Sequence, residues 1–421
     1  MEVCMKKLLP IILVAVLCLT VAFGALVGCN ATKPVVGLIA LHDENSTYDK
    51  NFIDAFKAAC EEKGLKQGEY VIATNIPESE KAYQKAAELA DAGCKAVFAD
   101  SFGHGSHIVK AAKEFTDVQF CHATGTDAIL NKDTLPNFHN AFASIYEARY
   151  LAGVAAGLKL QEMITNNTLP KTYKMEGENY IIGYVGAYTY AEVISGYTSF
   201  YLGVKSVVSN VVMKVQFTGS WYDQAKEKTA AENLISLGAA VISQHADSMG
   251  APTACENAGV PNVCYNLSTA EACPKTYVIA SRINWKPYFL MMLDYVLEGK
   301  AIPNDWTGTM ETGSVEVMAI GKAATAGTQA KLDEVKAKLA NGSLNVFDVN
   351  SFTVTVVKEG DNAKNTAATV DENGHLTAYT VNVDGSDKNA VENGAFMESK
   401  IRSAPYFDVQ IDGITLLNSA F

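Results

Sequence analysis

Two doubly wound α/β lobes are what this sequence predicts, each an open parallel sheet with helices over both faces. Three observations carry that expectation. Short, almost wholly apolar runs alternate at regular spacing with amphipathic segments, the pattern of strands buried on both sides. The alternation gives way to a helix rich in small residues at 145–160 and then restarts. Residues 216–248 read as strand end, loop, helix and strand, one βαβ unit that closes right-handed with parallel strands.

The first lobe opens with VVGLIAL (35–41), a buried strand. The polar loop HDENSTYDKN leads to FIDAFKAACEEKG, an amphipathic helix closed by Gly64. YVIATN is the second strand, SEKAYQKAAELADAG a helix ending at Gly93, and KAVFADS the third strand. SFGHGSHIVKAAKEF is a loop running into a helix, and VQFCHATG is the fourth strand. In the next helix, Ala152, Gly153, Ala155, Ala156 and Gly157 permit close packing, and a lobe boundary fits near it. YIIGYVGA begins the second lobe, followed by the helix AEVISGYTSFYLGVKSV and the strand VVMKVQFTG. Ala225, Ala230, Leu234 and Leu237 mark a helix that Gly238 stops, and AVISQHADS, NVCYNLS and YVIASR are further strands. INWKPYFLMMLDYVLEGK is a long amphipathic helix, GTMETGSVEVMAIG reads as strands, and KAKLANGSLNVF as a helix and its exit. From 349 polar residues alternate with β-branched ones between Asn-Gly and Asp-Gly turn signals, an appended β-hairpin region. Its last stretch, PYFDVQIDGITLLN, can dock as a strand.

A chain of 421 residues has room for two or three domains. The net charge of −12, with no basic run after the leader, argues against binding a nucleic acid polymer. In the leader, Lys6-Lys7 precedes an apolar run, and Leu26-Val27-Gly28-Cys29 resembles the lipobox of a bacterial lipoprotein signal. The resemblance implies cleavage before Cys29 and lipidation of that cysteine. An uncleaved membrane anchor is the alternative, since about 20 apolar residues can span a bilayer. Either way the folded part lies outside the cytoplasm, tethered. The nine cysteines show no CxxC or CxH metal spacing. Cys94 and Cys121 fall in or beside strand patterns, where a free thiol packs as a small hydrophobe. A Cys264–Cys273 disulfide is compatible with export.

Open α/β sheets bind ligands outside the carboxyl ends of their strands. Ser220, Trp221, Tyr222 and Asp223 follow one predicted strand, and His245, Asp247 and Ser248 follow the next. Two aromatic faces and two carboxylates therefore converge on one rim, which suits a flat, polar, uncharged or cationic small molecule. Ser101 and Phe102 stand at a strand end of the first lobe. The segment 101–107 has neither GxGxxG nor GK[ST], and its His104-x-x-His107 pair finds only Asp100 as a further metal ligand. No GxSxG elbow occurs, and Ser106 lacks an acidic partner, so a hydrolase triad is unsupported. Glu192 starts a helix, where the helix dipole and a ligand would each explain a carboxylate. Trp285 opens another helix, where a core, hinge or ligand role each fits.

Several long motifs then fall in a familiar order: FADSFGHGSHIVKAAKEFTDVQFCHATG, IYEARYLAGVAAG, IGYVGAYTYAEVISGYTSFYLGVKSV and GSWYDQAKEKTAAENLISLGAAVISQHADS. They resemble the basic membrane protein (BMP) family, lipoprotein solute-binding components of ABC importers of the purine nucleoside receptor type. The likeness runs from about 35 to 321 and is weakest after 348. It implies a type I periplasmic-binding-protein fold, two lobes joined by three hinge crossovers that close on a purine nucleoside or nucleobase. Aromatic rings would hold the base and carboxylates would read its edge. By motif, SFG supplies Ser101 and Phe102, AEVI supplies Glu192, and SWYD supplies Trp221 and Asp223, while Tyr222 stands as a ligand candidate on its place beside them. HADS supplies Asp247 and Ser248, and NWKPY supplies Trp285. The first loop departs from the pattern, with Ser46 where an aromatic precedes a Thr-Tyr pair; either Tyr48, beside Asp49, takes over the stacking or the ligand differs.

The resemblance implies no catalytic residue, metal or cofactor. Its partners are permease and ATPase subunits, and the membrane through the lipid on Cys29, at the outer face of the bacterial cytoplasmic membrane. The expected division is leader 1–29, tether 30–34, one lobe from 35–142 plus 282–312, the other from 143–281 plus 313–348, and a β-rich C-terminal extension at 349–421. The competing readings are a receptor for another ring compound, such as a flavin, vitamin or sugar, and a nucleoside hydrolase-type enzyme.

Overall fold

The computed structural model describes residues 33–360 and 363–421. The expected leader with Cys29, and residues 30–32 of the tether, lie outside them. Six parallel strands form the first sheet, in the order Asp305–Gly308, Phe138–Ala143, Gln119–Ala123, Ala96–Ala99, Val36–Ile39, Tyr70–Ala73. The second sheet runs Val315–Val317, Tyr277–Ile283, Asn262–Tyr265, Ile242–Gln244, Asn179–Gly186, Val211–Phe217, Ile414–Leu416. In this order its first strand is antiparallel to its neighbour, and the rest are parallel. The chain passes between the sheets three times: after Ala143, after Ile283 and after Gly308. This is the type I periplasmic-binding architecture.

Local chemistry explains the elements. The apolar runs VGLI and AVFA are buried along their whole length, as strands covered on both faces must be. Ser46 caps the Thr47–Glu62 helix, its hydroxyl accepting from Asp49 N at 3.3 Å. The strand Phe138–Ala143 carries little of the expected signal. It is buried throughout yet includes His139 and Asn140. His139 Nδ1 lies 3.0 Å from Pro303 O and its Nε2 2.7 Å from Gln119 Oε1, while Asn140 Oδ1 accepts from Ala128 N. Tertiary partners thus satisfy polar groups that break the apolar pattern.

The small residues at 145–160 serve a close helix crossing, as their composition suggests. A Cβ added at Gly153 would lie 2.2 Å from Phe200 O, and one at Gly203 would lie 2.2 Å from Tyr150 O. Only glycines let the Ile145–Thr165 and Ala191–Lys205 helices meet here. The first lobe instead fills its core with rings: Trp285 stacks on Phe52 at 4.3 Å, and Phe98 and Phe289 meet at 5.0 Å.

The C-terminal region is not an appendage. It forms a three-stranded antiparallel sheet and a hairpin, Val391–Glu392 with Ala395–Phe396. Ile414–Leu416 docks as a parallel strand beside Val211–Phe217, the role its sequence allowed. Phe407 stacks on Phe347 at 4.1 Å, inside the same hydrophobic cluster as the second lobe's core. The Cys264–Cys273 bridge is not formed; the six cysteines among the described residues are buried free thiols. Burial pushes the Cys264 thiol up to about 12, and its Sγ lies 3.0 Å from Asn262 Oδ1.

Candidate functional site

Strand ends from both sheets meet around a cavity of about 300 Å³, at the lower end of small-molecule sites. The first lobe contributes His42 after Val36–Ile39, Tyr48 and Asp49 at the start of the next helix, and Ser101 and Phe102 after Ala96–Ala99. The second contributes Tyr190 and Glu192, then Trp221, then His245 and Asp247, each set following a strand of its sheet. The walls touch across the cleft. Thr47 N donates to Asp247 O at 2.9 Å, Phe102 meets Tyr190 at 5.3 Å between ring centroids, and His42 meets Tyr222 at 5.5 Å.

Two buried carboxyl groups divide their roles here, Asp49 in the first wall and Asp100 outside the lining. Asp49 is 1% exposed. Its Oδ1 accepts from His42 N at 2.7 Å, and its Oδ2 lies 3.3 Å from His42 Nδ1. Burial pushes Asp49 up, but the bonds from His42 and Ser46 outweigh it and hold the group below its usual value. Burial, then the charge of Asp49 and a hydrogen bond to it, pushes Asp100 well above the carboxylate range. Asp100 is the acid of this pair and Asp49 the base. Tyr48 is fixed by its hydroxyl, which donates to Asp100 O at 2.8 Å.

The opposite wall holds a relay. Arg149 is 1% exposed, lies 3.4 Å above the Tyr265 ring, and donates to Gln244 O at 3.1 Å. Its Nη2 lies 3.1 Å from His245 Nδ1, and Arg149 carries only donors, so Nδ1 accepts. Nε2 therefore bears the imidazole proton and donates to Glu192, 3.0 Å away. Burial pushes His245 down and favours this neutral form, with the Glu192 charge opposing. The relay ends on Glu192, which lines the cavity. Asp247 accepts from Asn266 Nδ2 at 3.2 Å, and burial, followed by the charges of Glu227, Asp49 and Glu192, pushes it well up. The cavity thus offers rings from both lobes, carboxylate acceptors and the buried carboxyl of Asp247.

Of the residues expected here, Tyr48, Asp49, Ser101, Phe102, Glu192, Trp221 and Asp247 line the cavity. The Ser101 hydroxyl is engaged, donating to Glu78 at 2.6 Å. Four expectations are corrected. Tyr222 packs on His42 at the rim, outside the lining. Asp223 caps the Gln224–Ser236 helix, accepting from Lys226 N at 2.9 Å. Ser248 donates its N–H to the Glu227 carboxylate, and its hydroxyl accepts from Gly250 N at 3.0 Å. Trp285 is 1% exposed in the first lobe's core. His104 is buried with Nε2 2.8 Å from Ile76 O, and among the described residues no group of three or more His, Cys, Asp or Glu could hold a metal ion.

The lining also includes residues outside the expected set: His42, Tyr190, Thr189, Arg402 and Asp408. Tyr190 had a signal, since it stands two residues from Glu192 after a strand. Arg402 and Asp408 had none, because nothing local ties their segment to the cleft.

The chain matches the family model of PnrA-like ABC transporter substrate-binding proteins over residues 37–348. It is 33% identical over 274 residues to a purine-binding protein of Brucella abortus (strain 2308), covering 65% of this chain and 71% of the relative. A putative ABC transporter glucose-binding protein of Haloferax volcanii is 28% identical over 298 residues, 71% of this chain and 70% of the relative. In fold, the chain is similar to a solute-binding protein of Aeropyrum pernix K1, with TM-score 0.60 and 15% identity over 78% of this chain and 95% of that one. A solute-binding protein from Conexibacter woesei DSM 14684 gives TM-score 0.56 and 20% identity over 74% and 97%. The family and these neighbours are solute-binding proteins rather than enzymes, and ABC substrate-binding proteins work outside the cytoplasm with permease and ATPase subunits. The strand-end cleft, the two crossed lobes and the match over 37–348 agree: this chain belongs to the PnrA-like family of ABC transporter substrate-binding proteins.

Proposed function

We propose that this chain is the receptor of an ABC importer for a purine nucleoside or nucleobase, anchored by lipid on Cys29 at the outer face of the cytoplasmic membrane. The observation that carries the reading is the pairing, in one inter-lobe cavity, of rings from both lobes with the acceptors Asp49 and Glu192. A purine offers two aromatic faces and N–H groups at its edge. Stacking contributes about 1–3 kcal/mol per base. A ring N–H facing a carboxylate in a closed cleft makes a charge-assisted bond. The Brucella relative's purine binding supports the assignment. The lobes of type I periplasmic-binding proteins hinge, and closure on the ligand presents one shape to the permease.

A thermal-shift panel of purine bases, nucleosides, vitamins and glucose tests this reading. A purine at 100 times its dissociation constant should add about 2.7 kcal/mol of stability. Stabilisation by glucose with none by any purine would transfer the assignment to the class named for the Haloferax relative. Anchoring is tested by mass spectrometry of the membrane fraction, where Cys29→Ser should release an unlipidated chain.

A further inference from the structure

The family match ends at 348, yet Arg402, Ala404, Pro405 and Asp408 line the cavity from beyond it. Their segment is braced on both lobes. Ser403 N donates at 2.7 Å to Asp305, on the edge strand of the first sheet, and its hydroxyl bonds the same carboxylate. Glu398 accepts from Ser195 Oγ of the second lobe at 2.5 Å. Further on, Ile414–Leu416 extends the second sheet. Ala420 and the cavity residue Thr189 exchange two bonds, Thr189 N to Ala420 O at 2.7 Å and Ala420 N to Thr189 Oγ1 at 2.9 Å. A segment held at so many points is a fixed wall.

Two side chains of opposite charge stand on that wall. Arg402 donates through Nε to Ala404 O at 3.1 Å and through Nη2 to Pro405 O at 3.4 Å. A guanidinium has five N–H groups, so donors remain for the cavity that Arg402 lines. Asp408 Oδ1 accepts from the Tyr379 hydroxyl at 2.6 Å; burial raises this carboxyl above its usual value, with that bond and, less strongly, the Arg402 charge opposing. The lobes present mainly acceptors, Asp49 and Glu192, which suit ring N–H groups. The extension adds a cationic donor beside an acceptor. Adjacent hydroxyls each donate and accept, so a vicinal diol matches that pair, whereas a free base carries no such group.

We propose that the extension is a third wall of the binding cleft, and that Arg402 and Asp408 select ligands bearing a vicinal diol, the ribose of a purine nucleoside, over the free base. The proposal rests on the purine reading above.

Calorimetric titration of the native chain, Arg402→Gln and Asp408→Asn with guanosine, 2′-deoxyguanosine and guanine, and with the adenine series, tests it. The native chain should bind the nucleoside about tenfold or more tightly than the deoxynucleoside or base. Each variant should narrow that preference to within about threefold. Free-base binding then reports that the variant is folded. A native chain that ignores the 2′-hydroxyl overturns the proposal. So does a preference that survives both variants, or an equal loss for base and nucleoside. If no purine binds the native chain, the purine reading itself fails, an outcome distinct from purine binding without ribose preference.

Discussion

Trp221 and Trp285 occupy two regions that obey different rules. Both stand just after a strand at the approach to a helix. Trp285 lies among Phe52, Phe98 and Phe142 with 1% of its surface exposed. Trp221 remains partly exposed on the cavity wall, its ring 4.9 Å from Tyr188 and 6.1 Å from Tyr190. In the first region an indole is wanted for its volume, in the second for a face turned to the cleft. The difference teaches that an aromatic at a strand end is a ligand candidate only where the facing lobe leaves it a surface.

The sharpest break of this comparison is Trp285→Ala. Emptying that core site should cost about 3–5 kcal/mol of stability in chemical denaturation, while purine affinity per folded molecule stays near its native value. A large loss of affinity with little change in stability would reverse the two assignments. Trp221→Ala should do the converse, removing about 1–3 kcal/mol of binding free energy in calorimetry while unfolding shifts little. A milder test probes the loop beside Trp221. Asp223→Ala removes a helix cap and should lower stability by about 1 kcal/mol. Weakened binding much beyond that of the native chain would mean that Asp223 reaches the ligand.

The pH profile sharpens the comparison least in size, yet it isolates the acid–base pair next to the aromatic core. Asp100 has a folded value raised above its unfolded one, so the native state keeps its proton longer. Its stabilising contribution is complete below the unfolded value, about 3.9, and is lost as pH rises through the raised folded value. Asp100→Asn keeps an acceptor for Leu41 N, which bonds Oδ1 at 3.1 Å, and removes the titration. The melting temperature of the native chain should therefore fall more steeply above that range than the variant's. Parallel profiles would show that Asp100 does not titrate as its burial implies.

Most of the first lobe was legible, since runs such as VGLI and AVFA are apolar throughout and buried on both faces. Phe138–Ala143 was not, because His139 and Asn140 find partners at Pro303, Gln119 and Ala128, two of them remote in sequence. In the cavity, the residues at strand ends could be read from order alone, and Trp221, Glu192 and Asp247 line it. Asp223 and Ser248 share those loops but spend their polar atoms on helix starts, a choice settled by backbone direction. The relay from Arg149 through His245 to Glu192 joins residues more than 40 positions apart and has no local signature.

The order of apolar and amphipathic segments determined the two lobes, the parallel sheets and the rim on which the cavity residues stand, because periodicity and the handedness of βαβ units act locally. Tertiary structure alone decided which rim residues face the cleft, how neighbouring carboxyl groups divide their protons, and that the last 70-odd residues brace both lobes and complete the cavity. Those outcomes depend on burial and on partners distant in the chain, and a local pattern carries no record of either.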